Sequence, residues 1–204
     1  MKVIFVVLMG YLLGCSSLSY YISIVKNIDI KNNGSKNLGA SNTVALVGWK
    51  AGIAVAIHDA VKAMIAVILA NLFFKDVMYA PYIAAVASVF GHIFPFYLGF
   101  KGGKGLASYM GLILALNWKF GIIMLIVLAV ITIVSDYIVL GTFTIIAVTP
   151  VVFGVLTQDV SCAMIVATAS VIIFIKHIEN IKKLMNGTEM GLRKANKGEY
   201  RIKK

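Results

Sequence analysis

The chain has 204 residues, 60% of them apolar and 13% charged, with a mean hydropathy of +0.93. Soluble domains run at about 45–50% apolar and about 25% charged, so a soluble core of this length could not bury this much apolar surface, and disordered chains are poor in Val, Ile and Phe; both classes are excluded. The formal charge of +11 comes from 19 Lys and Arg against 8 Asp and Glu, and its placement is more informative than its sum.

Seven apolar runs follow one another, at about residues 3–25, 51–74, 78–99, 106–118, 120–134, 137–157 and 160–176. Isolated strands cannot satisfy their backbone in lipid, so each run is predicted to be a helix, and a span takes about 20 residues. The predicted fold is an all-α integral membrane protein with seven transmembrane helices. Residues 1–204 form one membrane-embedded domain with a basic tail from about residue 179. The first run passes through Leu12-Leu13-Gly14-Cys15, which looks like a lipoprotein signal, but apolar residues continue through Leu18, Ile22 and Val25 where a cleaved protein turns polar. It is kept as the first span. The fourth and fifth runs are short, either thin spans or, for part of the fourth, a re-entrant segment.

Connector charge sets the orientation. Lys26, Lys31, Lys36 and Lys50 separate the first two spans, Lys101 and Lys104 follow the third, and nine Lys and Arg lie between Lys176 and Lys204. The alternate connectors hold Lys75 and Lys119, with Lys2 at the start. The positive-inside bias then puts the N-terminus outside and the C-terminus in the cytoplasm, which requires an odd number of spans. Within the second span, Asp59 and Lys62 stand at i and i+3 beside His58 and are expected to pair structurally. Cys15 and Cys162 lie in apolar runs as free thiols, and the Cys and His spacing suggests no metal site.

Three polar clusters collect at the predicted cytoplasmic face. The first, Gly34-Ser35-Lys36-Asn37-Leu38-Gly39-Ala40-Ser41-Asn42, suits a tight irregular loop with exposed amides. The second runs from Gly91-His92-Ile93-Phe94-Pro95 to Phe100-Lys101-Gly102-Gly103-Lys104-Gly105, and opens a helix. Its glycines let backbone N–H groups approach an anion at a helix N-terminus. It is not a Walker A loop, because Leu98 stands where that motif needs Gly and Gly105 where it needs Ser or Thr. The third cluster sets His177 and Asn180 on one helical face, followed by Asn186-Gly187-Thr188-Glu189.

Together these segments resemble the bacterial membrane acyl-phosphate:glycerol-3-phosphate acyltransferase family, nearly end to end. Ser35 to Asn42 is similar to its Ser-Gly-Asn-x-Gly-Ala-Thr-Asn motif. Gly91 to Ser108 is similar to its phosphate-binding motif, with Ser108 where Thr is usual. His177 to Glu189 is similar to its His-x-x-Asn-Ile-x-x-Leu motif with a following Gly-x-Glu. The resemblance implies a seven-helix enzyme that needs no cofactor or metal. It would move a fatty acyl group from acyl-phosphate to glycerol 3-phosphate, giving 1-acyl-glycerol 3-phosphate and phosphate. A soluble enzyme that makes acyl-phosphate would be its functional neighbour.

Two anionic substrates need cations and N–H donors. Lys104 with the amides of Gly102, Gly103 and Gly105 can hold the acyl-phosphate. Ser35, Asn37 and Asn42 can orient the acceptor or the developing oxyanion, and His177 and Asn180 complete the wall. Ser35, Lys104, His177 and Asn180 are the candidate catalytic residues, and Lys36, Gly39, His92, Lys101, Ser108, Thr142 and Glu189 are further candidate binding residues. Because an acyl-phosphate is already activated, a donor phosphate oxygen is expected to take the hydroxyl proton, with His177 not required as a base.

The motif departs at one place. The family's first motif ends Asn-x-x-Arg, its arginine a ligand for substrate phosphate, and here it reads Asn42-Thr43-Val44-Ala45. Lys36 and Lys50 are the candidates for the missing charge, as point charges without the guanidinium fork. One rival is a divergent paralogue with another acceptor or little activity. The other is a small transporter, disfavoured because no internal repeat is found and the clusters lie at one face. The basic tail, Arg193 to Lys204, is expected to meet anionic lipid headgroups rather than nucleic acid.

Overall fold

The computed structural model describes residues 1–201; Lys203 and Lys204 of the predicted basic tail lie outside them. The described residues form ten α-helices and no strand. In chain order they are α1 (Lys2–Cys15), α2 (Leu18–Lys26), α3 (Ala40–Val47), α4 (Trp49–Phe73), α5 (Ala80–Ile93), α6 (Leu106–Leu116), α7 (Trp118–Ser135), α8 (Ile138–Thr157), α9 (Val160–Met185) and α10 (Leu192–Lys197), with a 3₁₀ turn at Phe96–Leu98. Six segments are long and apolar enough to cross a membrane, α1 and α2 counting as one, and α6 is a shorter apolar helix.

The first run is broken where it was predicted to be continuous. Ser16 is extended, and Ser17 caps α2 by accepting from the Tyr20 amide at 3.3 Å. Such a break is tolerated at membrane depth only where the freed backbone finds partners. Here the Cys15 carbonyl accepts from the Tyr97 hydroxyl at 2.9 Å and the Ser16 carbonyl from the Lys62 ammonium at 2.6 Å. Two further boundaries differ from expectation. The loop predicted through Asn42 ends at Gly39, where α3 begins, and the last span continues through Met185 rather than stopping near residue 176.

Small residues set the helix packing, as expected where lipid supplies no hydrophobic drive for association. A Cβ on Gly10 or Gly14 of α1 would strike the backbone of Ala84 or Ser88 on α5, and one on Gly111 of α6 the backbone of Ala60 on α4. The core around Tyr109, Leu112, Ile113, Ile145, Phe153 and Ile173 is fully closed. Large apolar side chains such as Ile65, Ile68, Ile126 and Ile133 face outward instead, the reverse of a soluble protein.

The two ends of the bundle differ in what they bring together. At one end Lys2 pairs with Asp76 at 2.5 Å, and the Tyr79 hydroxyl donates to Asp159 at 2.8 Å. That bond, with the Ser161 amide, holds the Asp159 carboxyl below the usual carboxylate range. At the other end the three polar clusters meet. The Leu38 amide donates to the Gly102 carbonyl at 3.4 Å, Lys104 to Asn180, and the Leu192 amide to the Asp136 carbonyl at 2.8 Å.

Candidate active site

A cavity of about 490 Å³ opens at this clustered end. Its polar part is walled by Ser35, Asn37 and Gly39 of the first cluster, by His92, Lys104 and Gly105 of the second, and by His177, Asn180 and Glu189 of the third. Asp59 and Thr142 also line it. An apolar limb runs on between Ile57, Val61, Met110, Leu114, Leu125 and Leu128. Ile57, Val61 and Leu125 are 59%, 42% and 41% exposed on the outside of the bundle. The limb therefore reaches the surface that faces lipid.

Lys104 extends from the loop that enters α6. It donates to the side-chain oxygen of Asn180, whose nitrogen donates to Glu189 at 2.7 Å. Burial pushes the Lys104 ammonium below the usual lysine range, against the pull of Glu189. The N–H groups of Gly105, Leu106 and Ala107 precede the first helical bond, from the Tyr109 amide to the Gly105 carbonyl at 2.8 Å. Helix-start amides of this kind are unsatisfied and favour an anion. The cradle lies one step further along the chain than predicted. Gly102 and Gly103 donate their amides to the Ile93 and His92 carbonyls at 3.1 and 3.2 Å, and neither lines the cavity. Their lack of a side chain serves packing, since a Cβ on Gly102 would meet the His92 carbonyl and one on Gly103 the His92 ring.

His177 is buried on α9, with Nδ1 2.8 Å from the carbonyl of Ile173 one turn earlier. A carbonyl only accepts, so Nδ1 carries the proton and Nε2 keeps its lone pair for the cavity. Asn37 donates to the Ser35 hydroxyl oxygen at 2.6 Å, which leaves the Ser35 proton free to point elsewhere. Thr142 donates back to the Ile138 carbonyl at 2.9 Å.

Several predicted site residues lie elsewhere. Asn42 is fully buried behind the loop and does not line the cavity. It accepts from the Ser35 amide at 2.9 Å and donates to the carbonyls of Ile30, Asn33 and Asn37 at 2.8, 3.1 and 2.9 Å. Ser108 is buried outside the cavity, its hydroxyl without a protein partner among the described residues. Lys36, Lys50 and Lys101 are exposed and absent from the cavity wall. Neither candidate for the missing arginine is therefore in place, and Ala45 itself is fully buried. Among the described residues Lys104 is the only lysine or arginine in the wall.

A family model described as glycerol-3-phosphate acyltransferase matches residues 4–187. The chain belongs to that family. Glycerol-3-phosphate acyltransferase 1 of Oceanobacillus iheyensis is 35% identical over 196 residues, covering 91% of this chain and 92% of the relative. The glycerol-3-phosphate acyltransferase of Thermotoga petrophila is 35% identical over 183 residues, 89% and 92% of the two chains. The crystal structure of PlsY, an integral membrane glycerol 3-phosphate acyltransferase, in its glycerol 3-phosphate form superposes with a TM-score of 0.87 at 29% identity, covering 94% of this chain and 96% of that one. As a member of this acyltransferase family the protein is a multi-pass membrane protein.

Sequence reasoning missed two parts of this wall. Asp59 was expected to pair with Lys62, which it does at 2.9 Å, yet it also lines the cavity with one carboxylate oxygen unpartnered among the described residues. Met190, Gly191, Leu192 and Ala195 close another side. The interruption of the basic tail by Met190-Gly191-Leu192 was the only sequence sign of them.

Proposed function

We propose that the protein is a bacterial plasma-membrane enzyme that transfers a fatty acyl group from an acyl-phosphate to glycerol 3-phosphate. The products are 1-acyl-glycerol 3-phosphate and inorganic phosphate. The observation that carries this reading is one cavity joining two environments. A cation and free amides stand in its polar part, and its apolar limb reaches the lipid-facing surface beside Ile57, Val61 and Leu125.

In this reading Lys104 and the amides at the start of α6 hold the donor's phosphate, and the acyl chain enters sideways along the apolar limb. The lone pair of His177 Nε2 accepts from the acceptor's second hydroxyl and so orients the reacting one, whose oxygen faces the acyl carbonyl carbon and whose proton faces a donor phosphate oxygen. The Ser35 hydroxyl donates to the oxyanion as it develops. The new C–O bond forms, the bond from carbonyl carbon to phosphate oxygen breaks, and the hydroxyl proton leaves on a phosphate oxygen. The donor is a mixed anhydride, so positioning and charge stabilisation supply the catalysis and no cofactor is required. A soluble acyl-phosphate-producing enzyme is the expected supplier.

The same reading has the chain cross the membrane seven times, with α6 completing the count and the cavity end in the cytoplasm. Among the described residues, 13 of the 17 Lys and Arg belong to segments at that end, as the positive-inside bias requires. With 11 residues, α6 is about 16 Å long, roughly half the hydrocarbon thickness. Lys104 then sits below the membrane surface, level with an acyl chain in the leaflet.

A second reading, a different acceptor on the same scaffold, is favoured by Lys104 being the only Lys or Arg in the wall among the described residues. The test supplies purified protein with palmitoyl-phosphate and glycerol 3-phosphate and measures phosphate and lysophosphatidate, with Ala45→Arg in parallel. Equal amounts of both products, dependent on glycerol 3-phosphate, are expected. Turnover by Ala45→Arg alone, or by wild type only with another hydroxyl compound, would establish the second reading.

A further inference from the structure

One wall of the cavity, at Asp59 and His92, is backed by a buried polar cluster that the reaction above leaves unused. Lys62 of α4 is 5% exposed and Asp59 1%. The Lys62 ammonium has three N–H donors, and three acceptors surround it. These are the Ser16 carbonyl at 2.6 Å, Asp59 Oδ1 at 2.9 Å and His92 Nδ1 at 3.0 Å. His58 completes the surroundings, with Nδ1 3.4 Å from Asp59 Oδ1 and Nε2 3.1 Å from the Ser16 hydroxyl.

An ammonium cannot accept a hydrogen bond, so its third contact uses the lone pair of His92 Nδ1. The neutral imidazole then carries its proton on Nε2. The opposite tautomer would have to reach Asp59 over 3.4 Å while setting an N–H against an ammonium 3.0 Å away, and a bond that long is weak. Nε2 rests over Gly103, in the space where a residue-103 Cβ would stand, on a ring that lines the same cavity as Lys104. Among the described residues no protein group is hydrogen-bonded to it. His92 therefore offers the cavity a donor, where His177 offers an acceptor.

We propose that His92 Nε2–H is a further, uncharged side-chain donor to the phosphate held at Lys104 and the α6 amides, and that Lys62 and Asp59 are positioning residues that fix its tautomer and aim. This rests on the acyl-phosphate reading and extends it to a group two helices away. Buried ion pairs are poor stabilisers compared with apolar packing of the same volume. A charged pair at this depth is better accounted for by the proton it locks in place. The wall also gains a directed donor where it has one cation.

The test is long-range ¹H–¹⁵N correlation on ¹⁵N-histidine-labelled protein in micelles, the three imidazoles assigned with His58→Asn and His177→Asn. Wild-type His92 is expected to be protonated on Nε2, and titration with inorganic phosphate is expected to shift that resonance. Lys62→Met should remove the tautomer preference and the shift. Inhibition by phosphate should weaken about tenfold or more in His92→Asn, which has no group at the Nε2 position. His92→Gln, whose amide reaches there, should retain it. An Nδ1-protonated His92, or phosphate that shifts only His177, overturns the proposal. The wild-type spectra do not depend on any variant folding. Because they need no turnover, a negative acyltransferase assay alongside a phosphate-sensitive His92 would separate the failure of the reaction assignment from that of this one.

Discussion

Lys104 donates to the side-chain oxygen of Asn180 in the polar wall of the cavity, joining the loop before α6 to the cytoplasmic-facing end proposed for α9. The bond fixes the ammonium in direction as well as in charge, and Glu189 holds Asn180 from the other side at 2.7 Å. Loss of the three members should therefore be unequal. Lys104→Ala removes the charge and should lower turnover by about 10²–10³-fold, as for other preorganised charge stabilisers. Asn180→Ala leaves the ammonium in place but unaimed and should cost less. His177→Gln should keep appreciable activity if a donor phosphate oxygen takes the proton. An acyl-transfer assay that ranked His177→Gln below Lys104→Ala would overturn that assignment.

The same burial gives phosphate binding a pH dependence. The Lys104 pKa is lowered, by burial first, with Glu189 raising it and Lys183 lowering it further. Phosphate held at Lys104, as proposed, needs the ammonium, so its affinity should be complete below the lowered value and be lost as pH rises through it. That loss should begin at lower pH than for an ordinary lysine, whose pKa is about 10.4. Inhibition by inorganic phosphate, measured from neutral to alkaline pH, should show the falling limb. Glu189→Gln removes an attraction and should move the limb to lower pH. Lys104→Arg stays charged throughout and should flatten it.

Asn42 and Asn37 stand five residues apart in one motif, and the structure gives them different work. Asn42 shares its two N–H donors among three carbonyls and accepts from one amide inside the loop, so Asn42→Ala orphans several buried groups at about 1 kcal/mol or more each. Its thermal stability should fall together with its activity. Asn42→Asp should fare no better, because a carboxylate cannot donate to carbonyls. Asn37 lines the cavity and bonds to the Ser35 hydroxyl, so Asn37→Ala should keep its melting temperature and lose turnover. Thermal melts beside initial rates distinguish the two; equal melts for both variants would contradict the assignment.

How far these roles were legible depends on the range of the interaction. The second to sixth apolar runs were read within a few residues, because lipid demands an apolar stretch whatever the tertiary context, whereas the last helix runs nine residues past its apolar run, to Met185. The pairing of Asp59 with Lys62 followed from helical spacing, and so did the shared face of His177 and Asn180. What Asn42 binds was not legible, since its partners Ile30 and Asn33 are placed by the fold of the whole loop. The glycine amides failed for a related reason. A Lys-Gly-Gly-Lys-Gly run advertises free N–H groups, and nothing local shows that the end of α5 takes those of Gly102 and Gly103. The break at Ser16–Ser17 was hidden likewise, because Lys62 and Tyr97, distant in sequence, supply what makes it tolerable.

The segment from Met190 to Ala195, which walls one side of the cavity, is anchored at Asp136, in the turn between α7 and α8. Its carboxylate accepts from the Arg193 amide at 2.7 Å and its backbone carbonyl from the Leu192 amide at 2.8 Å. The residue has φ of 74°, a left-handed conformation that Asn and Asp tolerate better than other side chains. Asp136→Ala loses both the acceptor and that tolerance, which together amount to about 1–2 kcal/mol. Asp136→Asn keeps the oxygen and the backbone preference and loses only the charge facing Arg193, an exposed pair worth little. Amide hydrogen exchange at Leu192 and Arg193 should accelerate in Asp136→Ala and stay near wild type in Asp136→Asn. Equal acceleration in both would mean that the charge, rather than the acceptor and the turn, holds this segment against the cavity.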